Sequence, residues 1–156
     1  MEAARPATVG DVPAIEALAV AGIGSKVGER GGDIWSQRET RSLPAAEDLT
    51  AAIEDPHRHM VVGTIDDVVV GYGLVALEEL RTGTLLAVVT DLFVDPEARG
   101  VGVGEAIMDE LIAWATGRGC VGIDALALPG DRATKNFFES FGLKARAIVV
   151  HRNLAP

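Results

Sequence analysis

Between Thr84 and Thr116 the chain changes character twice, and few folds accommodate both changes. Thr84 to Val94 is an apolar run interrupted only by Thr90 and Asp91, of the kind found where a strand is covered on both faces. Asp95-Pro96 ends it, and Arg99-Gly-Val-Gly-Val-Gly-Glu105 follows as a glycine-rich turn. From Gly102 to Thr116, Val103, Ile107, Leu111 and Trp114 recur at helical spacing, with Asp109 and Glu110 opposite them. A central strand that passes through a tight turn into an amphipathic helix requires a sheet with a helix laid on it. It also creates an anion site. Gly100, Gly102 and Gly104 leave backbone N–H groups uncovered, and the helix adds its unpaired first-turn donors and the positive end of its dipole.

Two phosphate loops are excluded by spacing. The dinucleotide fingerprint needs G-x-G-x-x-G directly after the strand, whereas Gly102-Val-Gly104 meets Ile107 at the third position, and five residues separate Val94 from Gly100. The Walker loop needs Gly-Lys-Ser/Thr, and this turn holds no lysine. What stands here is Arg-x-x-Gly-x-Gly, as Arg99, Gly102 and Gly104, behind Val94-Asp95-Pro96. This motif, in register between strand and helix, resembles the acyl-CoA-binding motif of the GNAT superfamily of N-acyltransferases.

The remaining elements follow from local pattern. Arg5 to Val9 predicts a short strand, and Asp11 with Pro13 opens a helix through Val12, Ile15, Leu18 and Ala19 to Gly22. Ile23 to Leu43 has no sustained period and reads as a flap, or as a helix over Asp33 to Arg41. Pro44 to Glu54 predicts a helix. His57 to Ile65 and Val68 to Leu77 form an antiparallel hairpin about Asp66-Asp67, and a turn at Leu80 to Gly83 leads into the central strand. Cys120 to Leu128 predicts a buried strand, Asp131 caps a helix to Phe141, and Lys144 to Leu154 predicts a final strand. Without repeats or linkers, one domain over 1–156 accounts for the chain.

This order of elements resembles the GNAT order over nearly the whole length, as does the ending Ala133-Thr-Lys-Asn-Phe-Phe-Glu-Ser-Phe-Gly-Leu143. The resemblance implies an α/β (α+β) fold with a central mixed, mostly antiparallel sheet flanked by helices. It implies acetyl-CoA as co-substrate, a small-molecule or peptide amine as acceptor, and dimers as a common state.

Composition narrows the setting. The chain is 48% hydrophobic, and Cys120 is its one cysteine, so no disulfide framework is expected and the cytoplasm is the simplest location. No apolar run approaches the roughly 18–20 residues needed to cross a bilayer. A net charge of −9 with few aromatic residues argues against nucleic acid.

Acyl transfer from a thioester to an amine requires that the amine lose its proton, the carbonyl oxygen be stabilised and the thiolate depart. An amine with pKa near ~10.4 is neutral in only about one molecule in two thousand at pH 7, a handicap of roughly 4–5 kcal/mol. Asp91, a carboxylate inside an apolar strand, is the candidate general base; its other role would be structural, bonded to backbone or Arg. Asp124 is the weaker candidate. The resemblance places pantetheine against the backbone of Leu92, Phe93 and Val94, and pyrophosphate on Arg99, Gly100, Val101, Gly102, Val103, Gly104 and Glu105. It also places Asp131 and Phe138 beside the cofactor, where the family commonly has asparagine and an acidic tyrosine. Phe138 cannot donate a proton, although a thiol of pKa near ~8.5 can leave as the anion. Water, Tyr72 and Cys120 are the alternative donors, and the second reading is a CoA-binding module that has lost turnover. His57 and His59 alternate on one strand face without a third ligand, so no metal site is expected. His151 and Trp35 are candidate cleft residues.

Overall fold

The computed structural model describes residues 1–156. Its elements run β1 (Glu2–Pro6), α1 (Val12–Lys26), α2 (Gly32–Arg38), α3 (Ala46–Glu54), β2 (Arg58–Ile65), β3 (Val68–Glu79), β4 (Leu85–Val94), α4 (Val103–Gly117), β5 (Gly122–Asp124) and α5 (Arg132–Ser140). The strands form one sheet in the order β1-β2-β3-β4-β5, antiparallel except where β5 lies parallel to β4. The expected mixed, mostly antiparallel sheet flanked by helices is therefore present.

Two apolar cores sandwich the sheet. On one face Ile15, Leu18 and Ala19 of α1 and Leu49 and Ala52 of α3 meet Met60, Val62, Tyr72, Leu74 and Phe93. On the other, Val103, Ile107, Met108, Leu111 and Ala115 of α4, with Phe138 of α5, meet Val61, Val75, Ala87 and Val89. Helix α4 presses so close that a Cβ on Gly63 of β2 would lie 2.5 Å from a Val103 methyl carbon.

In β4 the two faces are exchanged partway along. Leu74 of β3 lies opposite Asp91, but Val75 lies opposite Val89, so Thr90 is an extra residue, a β-bulge. Before the bulge the odd-numbered Ala87 and Val89 face α4; after it the odd-numbered Phe93 faces α1, and Leu92 and Val94 face α4. Asp91 is thereby turned to the α1 side, beside Tyr72. The bulge also ends the pairing with β5. Leu86, Ala87 and Val88 match Gly122, Ile123 and Asp124, and there the ladder stops.

Several expected boundaries move. β1 covers Glu2–Pro6 rather than Arg5 to Val9, because Thr8 and Asp11 close a capping box that turns the chain into α1. Helix α1 does not stop at Gly22 but runs on to Lys26; Gly22 is the point where the helix backs onto Phe93, whose ring would lie 2.9 Å from an added Cβ. The irregular segment contains α2, which starts at Gly32 with Gly31 as its cap rather than Asp33, and ends at Arg38 rather than Arg41. Rather than extending from Cys120 to Leu128, β5 is confined to three residues, since β4 beyond its bulge no longer offers a matching edge. The strand expected over Lys144 to Leu154 is absent: that segment is exposed and pairs with no strand.

Candidate active site

Separation of β5 from β4 opens a cavity of about 280 Å³ between the two strands' continuations, bounded by α1, α2 and α5. Val88 to Phe93 form one wall, Leu126 to Leu128 another, and Trp35, Tyr72, Asp131 and Phe138 project into it.

Asp91 lines this cavity and is the most heavily hydrogen-bonded of its carboxylates. The Arg41 guanidinium forks onto the carboxylate, Nε donating to Oδ2 at 2.9 Å and Nη2 to Oδ1 at 2.7 Å. The Tyr72 hydroxyl donates to Oδ2 at 2.9 Å and the Thr90 hydroxyl to Oδ1 at 2.8 Å. Arg41 also ion-pairs with Asp48 of α3. Both members of the Arg41–Asp91 pair are largely buried, with side-chain exposures of 7% and 10%. Burial opposes the charge on Arg41, but hydrogen bonds and attraction from Asp91 outweigh it and raise its pKa. Burial, reinforced by the Asp91 charge, pushes the Tyr72 phenol well above its ordinary value, so Tyr72 keeps its proton.

Asp131 caps α5, accepting from the Thr134 backbone N–H at 3.1 Å and its hydroxyl at 2.6 Å. It also ion-pairs with Lys26 at the end of α1, tying α1 to α5 across the cavity. Burial works to raise its pKa, yet the bonds from Lys26 and Thr134 prevail and hold it low. Phe138 is 7% exposed and presents a hydrocarbon face.

The second component lies at the end of β4. Arg99 Nε donates to the Val94 carbonyl at 2.9 Å, and its guanidinium lies 5.3 Å from the centre of the Phe93 ring. Gly100 and Gly102 take left-handed conformations, with φ of 83° and 94°, and Gly102 is the N-cap of α4 with no side chain closing it. From Gly100 to Glu105 no backbone N–H finds an acceptor within the protein. Unpaired donors at the start of a fifteen-residue helix, beside an arginine, suit a phosphate group.

The other candidates lie elsewhere. Asp124 is held by Arg146, with Nε at 2.9 Å from Oδ1, and this bond lowers its pKa. Cys120 borders a different groove at the end of α4. His57 is turned toward Asp55, while the His59 ring stacks on Trp114 with centroids 5.3 Å apart. His151 lies in the exposed terminal segment. Sequence reasoning missed Arg41 and Lys26. A buried carboxylate at Asp91 demanded a cationic partner, but nothing in the aperiodic segment singled out Arg41.

A family model described as the acetyltransferase (GNAT) family matches residues 31–143. No curated protein matches. Among solved structures, the tetramutant of the BH1408 protein from Bacillus halodurans superposes with a TM-score of 0.82 at 24% identity, covering 97% of this chain and 99% of that one. A transcriptional regulator from Bacillus halodurans C-125 gives 0.73 at 18%, covering 99% and 100%. AAC(6')-Iy in complex with the bisubstrate analog CoA-S-monomethyl-acetylneamine gives 0.73 at 13%, covering 100% and 99%. At these identities the superpositions speak for the fold, whereas the family model spans well over half of the sequence: the chain belongs to the GNAT acetyltransferase family.

Proposed function

We propose that this protein is a cytoplasmic N-acetyltransferase that moves the acetyl group of acetyl-CoA onto a primary amine by direct attack. The observation that carries this reading is that unpaired N–H groups from Gly100 to Glu105 follow directly on the strand whose Val88 to Phe93 wall the cavity that Asp91 lines. Gly100 to Glu105 and Arg99 would hold the pyrophosphate. The edge of β4 beyond Val88, with no strand beside it, would hold the pantetheine arm along Leu92 to Val94. When bound, acetyl-CoA supplies an activated acyl carbon.

The residues of the chain would act on the amine. Asp91 takes its proton or a proton relayed by water, and Thr90 is the donor that can make room. Its hydroxyl has a second acceptor in the Leu74 carbonyl at 3.5 Å, whereas Arg41 and Tyr72 are fixed by burial. Arg41 holds the Asp91 carboxylate in place, and activity increases with pH as a larger share of the amine is neutral. Phe138 supplies no proton, and the thiolate departs as the anion or is protonated by water. Asp131 holds the α5 wall. AAC(6')-Iy, which shares the fold, is in complex with the bisubstrate analog CoA-S-monomethyl-acetylneamine, which supports an amine acceptor beside the CoA thioester.

The test is thioester consumption across a panel of amines. Turnover with at least one amine, reduced about 10²–10⁴-fold by Asp91→Asn with acetyl-CoA affinity retained, is the expected result. Acetyl-CoA binding without turnover on every amine would instead establish the second reading, a binding module. Phe138 and the four donors on Asp91 are the observations that favour it.

A further inference from the structure

Four of the charged groups that line the cavity are matched to one another. Asp91 pairs with Arg41 and Asp131 with Lys26, and hydroxyls of Tyr72, Thr90 and Thr134 add to the two carboxylates. The fifth, Glu39, is placed differently. It lines the same cavity at the C-terminal cap of α2, and its ion-pair partner is the neighbouring Arg38. Both hydrogen bonds from that guanidinium fall on Oε1, with Nε at 2.8 Å, and Oε2 accepts none. The Arg38 side chain is 69% exposed and that of Glu39 27%. The guanidinium is therefore a solvated counterion that a ligand can replace, and the carboxylate is the part the fold holds.

Two further features point to a cation. Glu39 stands at the negative end of a helix, where an acidic side chain opposes the dipole and strengthens the local negative potential. Trp35 lies one turn earlier, its carbonyl accepting the Glu39 N–H at 3.0 Å, and this spacing sets both side chains on one helix face toward the cavity that both line. An indole face beside a carboxylate with a free oxygen suits an alkylammonium group: the ring attracts the charge and covers the methylenes that carry it. Arg41, two residues beyond Glu39, crosses to Asp91. The backbone between Glu39 and Arg41 spans at most about 7 Å, which keeps this corner close to the carboxylate that receives the amine's proton.

We propose that Trp35 and Glu39 form a second cation subsite and that the acceptor is an aliphatic diamine. One amine, neutral, reacts beside Asp91, while the other, as an ammonium ion, takes the place of Arg38 on Glu39 against the Trp35 ring. The inference rests on the acyl-transfer reading and adds the class of amine to it. With a pKa near ~10.4 the distal amine is charged throughout the neutral range, so it fixes which end of the molecule points away from the thioester.

Two measurements on the full chain, with 1,4-diaminobutane and n-butylamine as probes, separate the subsite from acyl transfer itself. In thioester consumption, 1,4-diaminobutane should show a KM at least about tenfold below that of n-butylamine. Glu39→Gln should raise the diamine's KM about tenfold or more, in KM rather than in kcat, and so erase the difference between the two amines. Trp35→Leu should raise it about threefold. Calorimetry with CoA in place of acetyl-CoA, where no turnover is possible, should show the same Glu39-dependent preference as a Kd, weakened by added salt. Equal constants for the two amines, no diamine binding by calorimetry, or a Glu39→Gln protein that keeps the preference would overturn the proposal, and turnover of n-butylamine would still establish acyl transfer. Glu39-dependent diamine binding with no thioester consumption would keep the cation subsite and remove the transfer.

Discussion

The Asp91 carboxylate carries four hydrogen bonds, and the chemistry depends on which of them is given up. If Thr90 is the replaceable donor, Thr90→Val leaves the Arg41 pair intact and changes kcat/KM by less than about tenfold, while Arg41→Ala strands a buried carboxylate. Removing one partner of a buried ion pair costs about 3–5 kcal/mol, so Arg41→Ala should lower the melting temperature sharply, and Arg41→Lys should restore only part of the loss. A thermal melt of the three proteins checks the order. His59 offers a pH-dependent counterpart. Burial lowers its pKa, and its Nε2 is buried without a hydrogen-bond partner, 3.8 Å from Glu110. The folded state therefore binds this proton less readily than the unfolded chain, and the stability it contributes is full above the ordinary histidine value near 6.5. That stability is lost as pH falls below that value through the depressed folded pKa. Urea denaturation at pH 7.5 and 5.5 should show a smaller decline for His59→Phe, which keeps the stack on Trp114, than for the wild type. Equal declines would remove His59 as the cause. At this scale the sequence was partly legible: a carboxylate in an apolar strand announces that it needs a partner, but Arg41 is fifty residues away in a segment without periodicity.

Among elements, the turn into α4 was the most legible, since glycine spacing, Arg99 and helical periodicity are all local properties. It supports a direct prediction. Gly102→Ala forces a side chain into φ of 94°, at a cost of about 1–2 kcal/mol, and places a Cβ 3.5 Å from Glu2. Calorimetry should show acetyl-CoA affinity weakened by this change and, through loss of a charge-assisted contact, by Arg99→Ala about tenfold or more. The hairpin β2–β3 was equally readable from its turn and alternation. Elements whose limits depend on distant neighbours were not. Gly22 sits inside α1 and does not end it, since Phe93, seventy-one residues later, takes the space a side chain would fill. β5 stops at Asp124 because β4 bulges at Thr90, and nothing in Thr90-Asp91 as letters marks an extra residue.

For the whole molecule, α1 and α5 close over the cavity from opposite faces of the sheet and are joined by Lys26 and Asp131. Ligand bound between them stabilises the closed arrangement in proportion to its occupancy. At a hundred times its Kd, acetyl-CoA should add about 2.7 kcal/mol and raise the melting temperature by several degrees, and a Lys26→Ala variant should show a smaller rise. Differential scanning fluorimetry with and without the ligand measures both. The terminal segment was misjudged at this scale for a physical reason: strand propensity belongs to a sequence, but a strand exists only where another edge receives it.

Thr90 has a further consequence, which concerns counting rather than chemistry. Side chains along a strand obey parity, and one additional residue works like an inserted letter in a reading frame: every position downstream exchanges odd for even. Drawing Thr90 into the ladder as an ordinary paired residue would remove no charge from Asp91 and no atom from Phe93, yet it would turn Asp91 into the α4 core and Phe93 away from Gly22. The cavity's Asp91 carboxylate and the divergence of β4 from β5 would be lost together. For this strand, keeping one residue out of the ladder decides more than the identity of any of its neighbours.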